Sequence, residues 1–142
     1  MAEYKNSNNA YSTLAGTMST VATTFTVAAG HGTRFPTINN AGVGSDWSYC
    51  TLQNAANQIE IVKITRHDSA SDSFTCVRSQ EGTNGGATYT WAVGDVVECR
   101  LTAATAVTVD GTQTLTNKTF VAPVLGVATR SEENTSEPQT PM

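Results

Sequence analysis

The sequence predicts an all-β fold, a small antiparallel sandwich or open barrel with extended N- and C-terminal arms. Threonine makes up roughly one residue in six of the 142 residues, and Gly, Ala, Ser and Asn are also abundant. Threonine suits strands, whereas Gly, Asn and Ser suit turns. No stretch has the 3.6-residue apolar periodicity of a long amphipathic helix, and short stretches of apolar and polar alternation occur instead.

The centre of the predicted sheet is a three-stranded antiparallel core. Residues 59–66 are rich in β-branched side chains, which pack well on a pleated surface. Residues 67–72 are short and polar, with Asp and Ser able to bond their own backbone, and predict a hairpin loop. Residues 73–78 return as the second strand of that hairpin.

Residues 95–102 predict the third core strand. Val97, Cys99 and Leu101 alternate with Val96, Glu98 and Arg100, so one face of this strand is expected to be apolar and the other mostly charged. The Gly-rich loop before it carries Tyr89 and Trp91, which we expect to fold back as a lid over the end of the core.

Two further strands precede the core. Residues 24–27 alternate, with Phe25 and Val27 expected on one face. Residues 47–53 carry Tyr49, Cys50 and Leu52 and predict a strand that leads into the central hairpin. Residues 11–18 have a weaker strand pattern.

Composition along the chain predicts four regions. Residues 1–10 are polar and indicate a flexible N-terminal arm, and residues 11–102 form the β domain. Residues 103–125 are rich in threonine with few large apolar side chains and predict an extended assembly arm, and residues 126–142 predict a disordered acidic tail. Because a domain this small buries a modest share of its surface, we expect it to associate with other chains.

The charge balance argues against nucleic acid as a partner, and the lack of a long apolar run argues against a membrane. The net charge is −4 and only 14% of residues are charged, so no basic stripe is available to neutralise nucleic-acid phosphates. No apolar run approaches the roughly 20 residues that a membrane-spanning helix needs, so membrane insertion is not expected. No apolar run follows the N-terminus as in a signal peptide, so we expect synthesis in a reducing cytoplasm.

The cysteines and histidines form no pattern that predicts a catalytic, cofactor or metal site. Cys50, Cys76 and Cys99 are far apart in sequence, form no Cys-x-x-Cys pair, and are expected to be buried small side chains. His31 and His67 are the only histidines, and neither follows a nucleophile motif. We therefore expect that the chain is not an enzyme.

Three segments resemble parts of one kind of protein. Residues 78–83 are Arg-Ser-Gln-Glu-Gly-Thr, and residues 94–102 are Gly-Asp-Val-Val-Glu-Cys-Arg-Leu-Thr. Residues 110–119 are Asp-Gly-Thr-Gln-Thr-Leu-Thr-Asn-Lys-Thr. These segments are similar to a small β domain of tailed-bacteriophage virion proteins of the tail-fibre and tail-tip type, and to the Leu-Thr-Asn-Lys-Thr segment that often follows it.

The resemblance implies a non-enzymatic structural component of a virion, most simply a tail-fibre or tail-associated protein that docks on the particle. It implies a homo-oligomer, with a trimer favoured, and other virion proteins of the tail, neck or capsid as partners. A capsid decoration protein is an alternative. Subunit or particle contacts are expected in the threonine-rich arm, at Thr114, Leu115, Thr116, Asn117, Lys118, Thr119 and Phe120.

A second class of function stays open from the aromatic residues. Tyr89 and Trp91 are candidates for contact with a host surface glycan, as in a receptor-binding adhesin module. Packing into the core is the commoner fate of such side chains.

Overall fold

Six strands form a single antiparallel sheet in the computed structural model, which describes residues 3–39 and 46–106. The sheet order is β1-β6-β3-β4-β5-β2, and it curls into a half-barrel. The all-β prediction is therefore confirmed. The strands are β1 (Tyr11–Thr13), β2 (Thr24–Thr26), β3 (Ser48–Gln53), β4 (Ile59–His67), β5 (Ser73–Gln80) and β6 (Val96–Glu98).

The central hairpin forms where the sequence predicts it. β4 and β5 pair antiparallel, with His67 opposite Phe74 beside the polar loop and Ile61 opposite Gln80 at the far end. The register shifts twice along this pair, which marks β-bulges. These bulges increase local twist and help the sheet to curl.

The third predicted core strand was wrong in length and in partners. β6 spans only Val96–Glu98, and it pairs with β1 on one side and β3 on the other rather than with the β4–β5 hairpin. After Cys99 the chain leaves the sheet, and the Thr102 hydroxyl bonds to the Glu81 carboxylate. Leu101 is consequently 73% exposed, contrary to its predicted place on an apolar face.

The two ends of the sheet approach each other just beyond β1 and β2. Leu14 and Val27 form an isolated antiparallel bridge. On either side of it, the Ala15 amide donates to the Thr26 carbonyl at 2.9 Å and the Ala28 amide donates to the Thr13 carbonyl at 3.0 Å. These bonds satisfy backbone groups that an open edge would leave exposed.

The core fills the concave side of the half-barrel. Phe25 and Val27 are both buried, as the alternation in residues 24–27 predicts. Phe74 is the centre of an aromatic group, stacked on Phe25 at 4.9 Å between ring centroids and met edge-on by Phe35 at 5.1 Å. The other buried apolar side chains are Ala10, Leu14, Met18, Ile38, Cys50, Leu52, Val62, Ile64, Cys76, Trp91 and Val97.

The N-terminal segment was predicted as a flexible arm, yet the described part of it is bonded to the domain. Tyr4 forms a parallel bridge with Trp47, and their rings lie 4.9 Å apart. The Lys5 amide donates to the Trp47 carbonyl and the Trp47 amide donates to the Glu3 carbonyl. Backbone pairing thus holds residues 3–5 beside the start of β3. At the other terminus, most of the predicted assembly arm and all of the acidic tail lie outside the described residues.

Gly32 permits a close contact that predicts a large mutational effect. A Cβ atom at this position would lie 1.9 Å from the Ser71 carbonyl oxygen, which is backbone and cannot swing away. We therefore expect Gly32→Ala to lower the free energy of unfolding by about 3 kcal/mol, at the upper end of overpacking effects.

Gly16→Ala is the matched control for this substitution. A Cβ at Gly16 would meet only Thr26 Oγ1, at an ordinary 3.7 Å. Gly16→Ala should leave stability unchanged or raise it by up to about 1 kcal/mol. Urea unfolding monitored by circular dichroism measures both variants, and equal effects would contradict the contact.

Candidate functional site

A buried charged network joins the sheet to two neighbouring loops. Arg78 on β5 donates from Nε to Glu60 Oε1 at 2.7 Å and from Nη2 to Glu60 Oε2 at 2.8 Å. The side chain of Glu60 is 0% exposed and that of Arg78 is 7% exposed. This bidentate geometry is the strongest form of carboxylate–guanidinium pairing.

The remaining donors of Arg78 hold backbone from two other segments. Arg78 Nη1 donates to the carbonyls of Ser19 and Ala22, and Nη2 also donates to the carbonyl of Tyr89. One side chain therefore ties the segment before β2 and the loop after β5 to the middle of the sheet. Arg78 is also the first residue of the Arg-Ser-Gln-Glu-Gly-Thr segment.

The Glu60 carboxylate accepts hydrogen bonds from four residues. Besides Arg78, its carboxylate accepts from the Ser79 and Tyr89 amides and from the indole Nε1 of Trp91 at 2.9 Å. Burial by itself raises the pKa of Glu60, but the hydrogen bonds from Arg78, Trp91 and Tyr89, with the Arg78 charge, outweigh burial and lower that pKa below its ordinary value. The network is thus built around an ionised carboxylate.

The predicted aromatic lid has a different role in the structure. Trp91 is completely buried, pairs with Met18 through two backbone hydrogen bonds, and belongs to the core. Tyr89 is partly buried and packs against the core, with its ring 5.8 Å from that of Trp91. Trp91 cannot contact a surface glycan while the domain is folded, so this candidate site residue is corrected to a core residue.

One serine–histidine pair has the superficial look of a catalytic site. Ser12 Oγ lies 2.9 Å from Nδ1 of His31, and Asp72 lies nearby. However, the Asp72 carboxylate accepts from the Gly30 and Gly32 amides, which lowers its pKa. Ser12 is 1% exposed, so its hydroxyl is out of reach of a substrate. This group fixes the turn around His31 onto β1 and lacks the access that nucleophilic catalysis requires.

The second histidine is a buried structural residue. His67 Nδ1 lies 2.8 Å from the Pro36 carbonyl oxygen, and Nε2 lies 3.0 Å from the Ser71 carbonyl oxygen. Its ring stacks on Phe74 at 3.9 Å between centroids. His67 therefore joins the loop before β3 to the β4–β5 turn.

A shallow groove crosses the surface where β1, β6 and the end of β3 meet, and we call it the Tyr11 groove. Its volume is about 410 Å³. Tyr11 forms an aromatic wall and is 48% exposed. The lining residues are Tyr11, Gln53, Asn54, Ala55, Gly94, Asp95, Val96, Glu98 and Arg100.

Three polar side chains of the Tyr11 groove, those of Gln53, Glu98 and Arg100, are joined by a hydrogen bond and an ion pair. Arg100 Nη2 donates to Gln53 Oε1 at 2.7 Å, and Arg100 also pairs with Glu98. Gln53 Nε2 in turn donates to Asn57 Oδ1 at 3.1 Å. An exposed ring beside planar amide, carboxylate and guanidinium groups offers both stacking and hydrogen bonding to a polar ligand.

The sequence contained one overlooked signal for the buried network. Glu60 shares the inward-facing parity of Val62 and Ile64 on β4, and an inward charge in an apolar row requires a partner. The Tyr11 groove had no comparable signal, because its residues come from segments that only the folded sheet brings together. The predicted interface residues 114–120 lie outside the described residues.

Within residues 3–39 and 46–106, no group of His, Cys, Asp and Glu side chains is arranged to hold a metal ion. The same part of the chain contains no helix long and apolar enough to cross a membrane. Comparison of the sequence with protein-family models and with curated proteins gave no match.

Proposed function

We propose that this chain is a non-enzymatic structural component of a tailed-bacteriophage virion, tail-fibre or tail-associated, that assembles as a homotrimer and docks on the particle. The observation that carries the proposal is the resemblance of residues 78–83, 94–102 and 110–119 to virion β domains. A capsid decoration protein is the closest alternative and would share the same domain.

The internal hydrogen bonding of the polar side chains supports a structural role. The polar groups of Glu60, Arg78 and His67 form hydrogen bonds within the domain, and these bonds fix loops to the sheet. Internal bonding of this kind favours a rigid module whose partners are bound elsewhere, and residues 114–120 are the proposed contact segment. A threonine-rich segment offers backbone and hydroxyl hydrogen-bonding groups to neighbouring chains.

Two truncations that keep residues 1–106 test this proposal. Removing residues 107–142 deletes the proposed contact segment, whereas removing only residues 126–142 deletes the acidic tail and is the matched control. We expect the full chain and the short truncation to be trimers by light scattering and to bind particles that lack the protein. We expect the long truncation to be a folded monomer that does not bind. Unchanged assembly and binding of the long truncation would overturn the proposal.

A different class of function is favoured by the Tyr11 groove. Its half-exposed ring and interlocked polar side chains fit contact with a host surface glycan. This second candidate moves the adhesin hypothesis from Tyr89 and Trp91 to Tyr11.

Polysaccharide purified from the host surface is the probe for this candidate. Tyr11→Ala should weaken its binding about fivefold, since an aromatic contact contributes about 1 kcal/mol. Tyr11→Phe keeps the ring and should bind nearly as well as the original chain. Absence of binding by the original chain, or equal binding by Tyr11→Ala, would exclude a glycan site at this groove.

A further inference from the structure

Two of the three cysteines meet inside the fold, although they are 49 residues apart in sequence. Cys50 Sγ on β3 lies 3.6 Å from Cys99 Sγ, just after β6. Cys50 is buried, whereas Cys99 is only partly buried at the edge of the core. Both are free thiols in this structure.

The backbone around the pair suits a covalent link. Thr51 lies opposite Glu98 in the β3–β6 register, so one further step sets Cys50 opposite Cys99. The Cys99 amide donates to the Ala10 carbonyl on the β1 side and therefore points away from β3. Facing residues at such non-hydrogen-bonded positions have Cα atoms about 4.5 Å apart, within the range that disulfides span.

We propose that Cys50 and Cys99 form an oxidation site, which a hydroperoxide converts to a reversible cross-strand disulfide between β3 and the end of β6. The sulfur atoms need to approach from contact distance to a bond of about 2.05 Å, which side-chain rotation can supply. The pair would behave in this way whichever assembly the chain belongs to, so the inference is independent of the proposed function.

The two thiols are suited to different steps of the oxidation. The hydrogen bond from the Cys50 thiol lowers the pKa of Cys99, more than burial raises it, and a smaller lowering comes from Ser48. The same hydrogen bond, together with burial, raises the pKa of Cys50. Cys99 is therefore the attacking thiolate and Cys50 the resolving thiol.

The reaction balances with hydrogen peroxide as the oxidant. The Cys99 thiolate attacks one peroxide oxygen, the O–O bond breaks, and the departing hydroxide takes up a proton to leave as water, with Cys99 as a sulfenic acid. Cys50 Sγ then attacks Cys99 Sγ, the S–O bond breaks, and the hydroxide leaves as water with the Cys50 proton. Two thiols and one peroxide thus give one disulfide and two waters.

Cys76 on β5 provides an internal control in the same chain. It is buried, and burial raises its pKa to about 12. A thiol of this kind has almost no thiolate at neutral pH and should resist peroxide.

The experiment counts thiols in the full chain before and after a stoichiometric dose of hydrogen peroxide. Alkylation in denaturant followed by mass spectrometry should give three modified cysteines before oxidation and one, Cys76, afterwards. Reductant should restore all three. A linked peptide pair containing Cys50 and Cys99 should be found only in the oxidised sample, and the thermal midpoint of that sample should rise by several degrees because the cross-link constrains the unfolded chain.

Three cysteine variants test the role of each thiol. Cys76→Ser should still form the link, whereas Cys50→Ser should stop at a Cys99 sulfenic acid that dimedone traps, and Cys99→Ser should not react. Three alkylatable thiols after oxidation of the original chain would overturn the proposal, and that measurement needs no variant to fold. Oxidation of Cys99 to sulfinic acid without a link to Cys50 would also overturn it.

Discussion

Replacing Glu60 by alanine should lower the free energy of unfolding by about 3–5 kcal/mol, because it leaves the Arg78 guanidinium buried without its carboxylate. The substitution also removes the acceptor of the Trp91 indole N–H and of the Tyr89 and Ser79 amides. Arg78→Ala should cost a similar amount, since the Glu60 charge would then lack its partner.

A double-mutant cycle separates the network from simple loss of packing. We expect the Glu60→Ala, Arg78→Ala double variant to lose clearly less stability than the sum of the single variants. Glu3→Ala removes one partner of the exposed Lys5–Glu3 ion pair and should change stability by at most about 1 kcal/mol. Urea unfolding gives all four values, and a loss below about 1 kcal/mol for Glu60→Ala would contradict the role of the network.

Acid should remove the contribution of Glu60 in a definite direction. The pKa of Glu60 is lower in the folded chain than its ordinary value of 4.5, so its stabilising effect is complete above that value. The effect is lost as pH falls through the lowered folded pKa. Stability measured from pH 7 downward should fall less steeply in Glu60→Gln, whose side chain does not titrate.

Replacing Trp91 by alanine should lower the free energy of unfolding by about 3–5 kcal/mol, as expected for truncating the largest fully buried side chain of the core. The indole fills the space between the core and the Glu60–Arg78 network and donates to Glu60 Oε2. Its loss therefore creates a cavity and removes a donor from a buried charge.

Two other substitutions bracket this effect. Trp91→Phe keeps much of the apolar area but removes the indole N–H, and it should cost less than Trp91→Ala. Val21→Ala truncates a side chain that is 84% exposed and should stay within about 0.5 kcal/mol of the original chain. If Trp91→Ala unfolded at the same urea concentration as Val21→Ala, Trp91 would not be a core residue.

Strand positions were largely predictable because alternation reports which face of a strand is buried. β2, β3, β4 and β5 lie within a residue or two of their predicted bounds. The partners of β6 were not predictable in the same way, since alternation says nothing about which strand lies alongside. The position of β6 between β1 and β3 depends on pairings between segments far apart in sequence.

The sequence indicated one of the two charged residues of the buried network. The inward parity of Glu60 marked a charge that needs a partner, but nothing local identified Arg78, which lies 18 residues away across a bulged pair of strands. Trp91 was placed near the core correctly and given surface access wrongly, because sequence does not reveal that the Met18 backbone pairs with it and closes the site.

The composition of purified particles is the most direct test of the proposed virion role. On the proposal that a phage encodes this chain, the particles of that phage would be purified by density gradient, washed in high salt, and analysed by quantitative mass spectrometry. We predict that the chain stays with the particles at a fixed copy number per virion that is a multiple of three. Recovery of the chain only in the soluble lysate, with none on the washed particles, would contradict the proposed role.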